Sequence, residues 1–274
     1  MEIFEYDFMR RAFVVGILLS AVIPCIGMIV VLKRLSMVGD VLSHMSLAGV
    51  AGGLITGVNP VLSAVLACVA AAFCIEGFRR KIPQYAELSI AVMLSAGLGA
   101  TGILSGFVKN ASSFNNFLFG SIIAFSDFEM TLVICVSGAV MATFLMLYKE
   151  LFYIAFNERA ARLSGVPVQK INFIFTILTA VTVAVAARTA GALIVSSTMI
   201  IPVACAMQFG KSYKKTVIYA VYFAVIFTVT GLYISYYLRL KPGGTIALLG
   251  VFCFILILSF QKFLQKLRRK RTAK

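Results

Sequence analysis

One pair of residues in this 274-residue chain has the types and spacing for metal chemistry. The segment Met37-Val38-Gly39-Asp40-Val41-Leu42-Ser43-His44 contains the sole histidine of the sequence. Asp40 and His44 are four residues apart, so on a helix they share one face. A carboxylate and an imidazole one turn apart can both bind zinc, manganese or iron. The pair is incomplete as a closed site, because zinc takes about four ligands. Other residues, water or carbonyls must contribute. Small residues surround the pair: Ser43, Ser46, Ala48, Gly49, Ala51, Gly52 and Gly53. They allow close helix approach or line a cavity. A plainer reading stands beside this one. Asp40 would then be only a helix N-cap, and His44 its intrahelical partner or a satisfied buried group.

Few other polar groups fall in apolar surroundings, where an ionisable side chain is costly. Glu87 precedes the apolar run 88–108. The helix dipole favours an acid there, and a place in a cation path is the alternative. Glu76 lies near Arg79-Arg80-Lys81 and reads as their local partner. Arg188 sits between two apolar runs and is followed by Thr189-Ala190-Gly191. It is either an interfacial anchor or the mark of a helix broken inside the protein. Cys25, Cys68, Cys74, Cys135, Cys205 and Cys253 are scattered without a CxxC pair. They read as small buried hydrophobes outside any disulfide. Gly210-Lys211-Ser212 ends like a phosphate-binding loop, but Cys205 stands where the earlier glycine is required. The flank is an apolar run, not a strand. No nucleotide site is visible, so the chain is not expected to hydrolyse ATP or to act as an enzyme.

The elements that carry these residues follow from composition. Hydrophobic residues make up 61% of the chain and charged residues 13%, with a mean hydropathy of +1.00. A soluble domain carries about 25% charge, so an ordinary soluble fold is excluded. Disorder is excluded as well, because disordered chains are poor in apolar residues. The expectation is an all-α polytopic membrane protein forming one transmembrane domain over 1–274. A spanning helix needs about 20 apolar residues. Spans are expected at 12–32, 88–108, 130–148, 171–187, 189–210, 216–238 and 242–261. The run 41–75 divides into two at Gly57-Val58-Asn59-Pro60. The segment 110–126 reads as a partial or interfacial helix. The total is eight or nine spans. The first is retained, because acids precede Arg10-Arg11 and no cleavage site follows.

Lys and Arg number 25 against 10 Asp and Glu. In so apolar a chain the excess points to cytoplasmic loops and anionic lipid rather than nucleic acid. A cytoplasmic basic tail at 262–274 and nine alternating spans put most of the Lys and Arg inside. Arg10 and Arg11 then lie outside; with the N-terminus inside instead, one segment would not cross fully. The loop at about 150–170 is the longest inside. A short helix is expected over 158–163, with Asn157 as N-cap and Gly165 and Pro167 as stop signals. It is either an amphipathic connector or a docking knob for a cytoplasmic partner.

With these residues in view, the chain resembles the permease subunits of ABC-type zinc/manganese/iron importers. The resemblance covers residues 8–258. It rests on four stretches in order: 8–53 with its Gly39-Asp40-x-x-Ser43-His44 core, 117–128, 155–168, and 188–206 running on to 231–248. It implies an all-helical permease similar to the vitamin-importer type. Such a permease works as a homodimer in the bacterial cell membrane, with ATP-binding cassette subunits on the cytoplasmic side. An external metal-binding lipoprotein or periplasmic receptor would deliver the transported zinc, manganese or iron, and no cofactor would be permanently bound. Asp40 and His44 match the family's intramembrane metal position, and Glu87 falls where the family often has an acid. The ATPase-coupling segment matches Asn157, Glu158, Arg159, Arg162, Leu163, Gly165 and Pro167. Here Phe156-Asn157-Glu158-Arg159 replaces the common Phe-Asp-Pro-Glu, a departure that shifts contacts with the ATPase but keeps an acid in place. The rivals are a permease for a metal chelate or vitamin and a gradient-driven secondary transporter.

Overall fold

Long apolar runs become long helices, because only internally bonded backbone survives in hydrocarbon. The computed structural model describes residues 7–82, 85–109, 114, 115, 117, 118, 120 and 127–272. In chain order the helices are α1 (Asp7–Leu32), α2 (Val38–Thr56), α3 (Pro60–Lys81), α4 (Ala86–Ser105), α5 (Asp127–Met146), α6 (Tyr148–Phe156), α7 (Glu158–Leu163), α8 (Val168–Ala190), α9 (Val195–Met207), α10 (Tyr213–Leu238) and α11 (Pro242–Thr272). A 3₁₀ turn, Ala192–Ile194, precedes α9. Eight of these helices are long and apolar enough to cross a membrane. The expected partial helix at 110–126 lies largely outside the described residues.

The break expected at 57–60 is present and has a local cause. Gly57 closes α2 in the left-handed region, at φ 76°. Asn59 then caps α3, its Oδ1 accepting from the Val61 N–H at 2.9 Å, with Pro60 in the first turn. The expected full span over 189–210 is corrected. α8 continues to Ala190, and the chain turns at Gly191 with φ 93° and ψ 135°. α9 then has only 13 residues, about 20 Å, against about 30 Å of hydrocarbon. No charge separates Thr189 from Gly210, so hydropathy alone runs through Gly191, although Arg188 stands three residues before it.

The two ends of the bundle can be told apart. At one end Met9 and Phe13 of α1 cluster with Leu232 of α10, and Ile246 of α11 packs against them. At the other end Gln261 Nε2 donates to the Gln208 carbonyl at 2.9 Å, and Lys33 meets Asn172 near the start of α8. Rings of Tyr148 and Tyr213 lie 5.1 Å apart at this end as well. The basic loops after α1, α3, α6 and α9 therefore share one face, and the start of α1 lies at the opposite face. α9 carries the chain back between the two, so among the described residues nine helices run between the faces, eight long and one short.

α2 forms the centre. Its Val41, Leu42 and Ala51 are fully buried, and α3, α4, α8 and α9 pack around it. Glycines allow this crowding. A Cβ on Gly49 would come within 2.6 Å of the Ser63 carbonyl oxygen on α3. A Cβ on Gly39 would come within 2.8 Å of Met199 Cε on α9. Outward-facing Leu66, Ile103, Leu145 and Leu248 are exposed, as lipid contact requires. Cys25, Cys68 and Cys205 are buried as expected, but Cys74 and Cys135 are exposed. The expectation of buried cysteines is corrected there, because those two lie on outward faces of α3 and α5.

Candidate functional site

The pair expected from sequence lies on α2. Met37 occupies the N-cap position without a side-chain capping bond, and Asp40 stands in the first turn. The simple capping role for Asp40 is therefore not observed. The helix dipole still favours its carboxylate there. His44 follows one turn later, and both are half-buried.

Neighbouring helices hold this stretch in place. Thr101 Oγ1 of α4 donates to the His44 carbonyl at 2.9 Å. Gly97, also on α4, leaves the space beside the His44 side chain. From α3, Cys68 Sγ donates to the Leu42 carbonyl at 3.1 Å. On the adjoining stripe of α2, Gly39 faces Ser196 of α9. The Ser43 and Ser196 hydroxyls are buried without a hydrogen-bond partner. Among the described residues no three His, Cys, Asp or Glu side chains come together. Asp40 and His44 thus lie one turn apart on α2, with neutral hydroxyls on the adjoining stripe, and a closed structural zinc site would need about four ligands.

Glu87 is not part of this face. It is exposed in the first turn of α4, ten residues before Gly97. That separation is about 15 Å along the helix from the level of His44.

A second buried polar pair went unread in the sequence. Arg188, three residues before the turn at Gly191, donates from Nε to Glu129 Oε1 at 2.7 Å. A second bond, Nη2 to Oε2, measures 3.2 Å. The guanidinium lies 4.7 Å from the Phe117 ring. Arg188 is therefore an internal ion-pair partner beside a helix break, and not an interfacial anchor. The available signal was an acid, Glu129, two residues after Asp127 at the start of the 130–148 run. Glu76 behaves as expected, meeting Arg79 at 2.9 Å.

On the basic face the loop helix forms as read. Asn157 Oδ1 accepts from the Ala160 N–H at 3.0 Å. Arg162 and Glu158 pair at 3.4 Å across one turn. Gly165 takes φ 82°, and the Val166 N–H returns to the Ala161 carbonyl at 3.1 Å. Ala161 is fully buried, whereas Phe156 is 81% exposed and Leu163 89% exposed. Two large apolar side chains therefore flank a helix fixed on its other side.

Comparison with known proteins agrees with this architecture. Residues 5–261 match the ABC 3 transport family. The chain is 34% identical over 257 residues to "Probable metal transport system membrane protein" of Treponema pallidum (strain Nichols), covering 93% of this chain and 96% of that protein. It is 28% identical to the manganese transport system membrane protein MntC of Listeria monocytogenes serovar 1/2a, covering 93% and 91%. It is 26% identical to the high-affinity zinc uptake system membrane protein ZnuB of Haemophilus influenzae, covering 92% and 97%. Among solved structures, PsaBC from Streptococcus pneumoniae in complex with Fab superposes with a TM-score of 0.82 at 25% identity, covering 92% of this chain and 91% of that one. A helical bundle of this topology, matched along nearly its whole length, leaves one assignment: the chain belongs to the ABC 3 transport family.

Proposed function

We propose that this chain is the membrane-spanning subunit of an ATP-driven importer of a divalent metal, zinc, manganese or iron. An external metal-binding receptor hands the ion to a pathway formed by two copies of the chain. Asp40 and His44 take it transiently, and water, backbone carbonyls and hydroxyls supply the remaining contacts. ATP is hydrolysed in a separate subunit that docks on Asn157–Pro167, with Arg159 and Leu163 at the contact. Glu87, apart from the pair, serves as an acid nearer the basic face. The carrying observation is the placement of the sole histidine and Asp40 on the central helix of a fold whose named relatives transport manganese and zinc.

The test is metal uptake into vesicles holding the chain with its ATPase and receptor. Asp40→Ala and His44→Ala should each lower uptake by about 10- to 100-fold, while the complex still assembles. Uptake that is unchanged in the double variant would sink the reading. Uptake without ATP would instead favour a gradient-driven carrier.

A further inference from the structure

The α1–α2 turn on the basic face contains a part-buried polar contact that neither the metal pair nor the docking helix uses. Lys33 Nζ donates to Asn172 Oδ1 at 2.6 Å, and its ammonium lies 5.3 Å from the Phe175 ring. Asn172 is 3% exposed. It stands in α8, five positions after Pro167, the last residue of the docking segment.

Both ends of this contact are rigidly joined to working parts. On the α8 side, the Val168 N–H bonds the Val166 carbonyl at 2.8 Å and the Ile171 N–H bonds the Pro167 carbonyl at 3.1 Å. With the Val166 N–H on the Ala161 carbonyl, these bonds tie the end of α7 to the start of α8. On the α2 side, the Leu35 N–H returns to the Val30 carbonyl at 2.9 Å and Arg34 adopts φ 58°. The Val38 N–H then bonds the Leu35 carbonyl at 2.9 Å. This tight turn leads straight into α2, with Asp40 seven residues after Lys33.

Next to the contact lies a cavity of about 40 Å³, walled by Val38 and Leu42 of α2, Glu76 and Arg79 of α3, and Thr176 of α8. The cavity leaves α2 and α8 out of direct packing there, whereas close-packed helices would transmit strain through their own contacts. The Lys33–Asn172 bond crosses that gap.

We propose that Lys33 and Asn172 are positioning residues that carry movement of the docking helix to the helix bearing Asp40 and His44. The proposal rests on the reading of Asn157–Pro167 as the ATPase contact. Neither residue touches the ion. Each acts by tying the α1–α2 turn to α8, so that a displacement at α7 re-aims α2.

The experiment uses the complete complex, with its ATPase and receptor, in proteoliposomes. Manganese(II) and zinc(II) serve as probes in parallel runs. Three quantities are read: ATPase subunits retained, ATP hydrolysed, and ions taken up per ATP. Lys33→Met and Asn172→Leu should keep the ATPase bound and hydrolysing, yet lower ions per ATP at least about threefold. Lys33→Arg and Asn172→Asp, which keep the bond, should restore most of that ratio. The double variant Lys33→Met/Asn172→Leu should be no worse than either single one. An unchanged ratio in Asn172→Leu overturns the proposal. So does an equal loss in Asn172→Asp, or additive loss in the double variant. Failure of the docking reading is seen separately, as full retention of ATPase subunits by Glu158→Ala/Leu163→Ala.

Discussion

Gly97 on α4 lies against His44 on α2, so that a Cβ at position 97 would come within 3.2 Å of the His44 Cβ. The imidazole owes its place to a missing side chain on the neighbouring helix. Orientation of a metal-binding imidazole is part of its affinity.

Filling this gap should therefore disturb the site without touching either ligand. Gly97→Val is expected to lower metal uptake by about tenfold. Gly99→Val, with no atom within 4 Å of its Cβ position, serves as control. Uptake and thermal melting should be measured together. If Gly97→Val transports like the control, the position of His44 does not depend on this packing.

The Glu129–Arg188 pair gives a stability prediction. The two side chains are 15% and 10% exposed. Removing one partner leaves an uncompensated charge, at a cost of about 3–5 kcal/mol. Glu129→Leu should melt well below the wild type in detergent. Glu129→Leu/Arg188→Met should recover much of the loss, because an apolar pair of similar volume is often neutral. A double variant that melts lower than Glu129→Leu would contradict this account.

Lys33 supplies a pH dependence. Its ammonium is pushed from the ordinary 10.5 down to about 8, first by burial and then by the Arg79 guanidinium. Glu158 and Glu76 oppose both by drawing it upward. Between about 8 and 10.5 the unfolded chain binds more protons than the folded one, so stability rises with pH across that window. Below 8 the burden of the buried ammonium is present in full. Melting temperatures of the wild type and Lys33→Met should be compared from pH 7 to pH 10. The wild type should gain on the variant as pH rises. A constant difference would show that Lys33 does not titrate in this range.

The sequence made the spans legible where apolar runs end in charge or in Gly-x-Asn-Pro, as at Gly57–Pro60. It made Asp40 and His44 legible because one helical turn is a local relationship. Asn157 and Gly165 announced α7 for the same reason. Relationships between distant segments were not legible. Nothing near position 129 says that its acid meets an arginine 59 residues later. Nothing near Gly97 says that it faces His44. The short α9 escaped because hydropathy records composition, whereas the left-handed turn at Gly191 is a backbone event.

That short helix also sets how the bundle meets its lipid. Eight helices can answer a thicker or thinner bilayer by changing tilt. α9 reaches only about two thirds of the way across. Gly191 and the start of the 3₁₀ turn at Ala192 precede it and are buried, so protein and not acyl chain surrounds this break in the α-helical backbone. Its depth is consequently set by its neighbours. α9 acts as a fixed plumb line inside a bundle whose outer staves lean with the membrane.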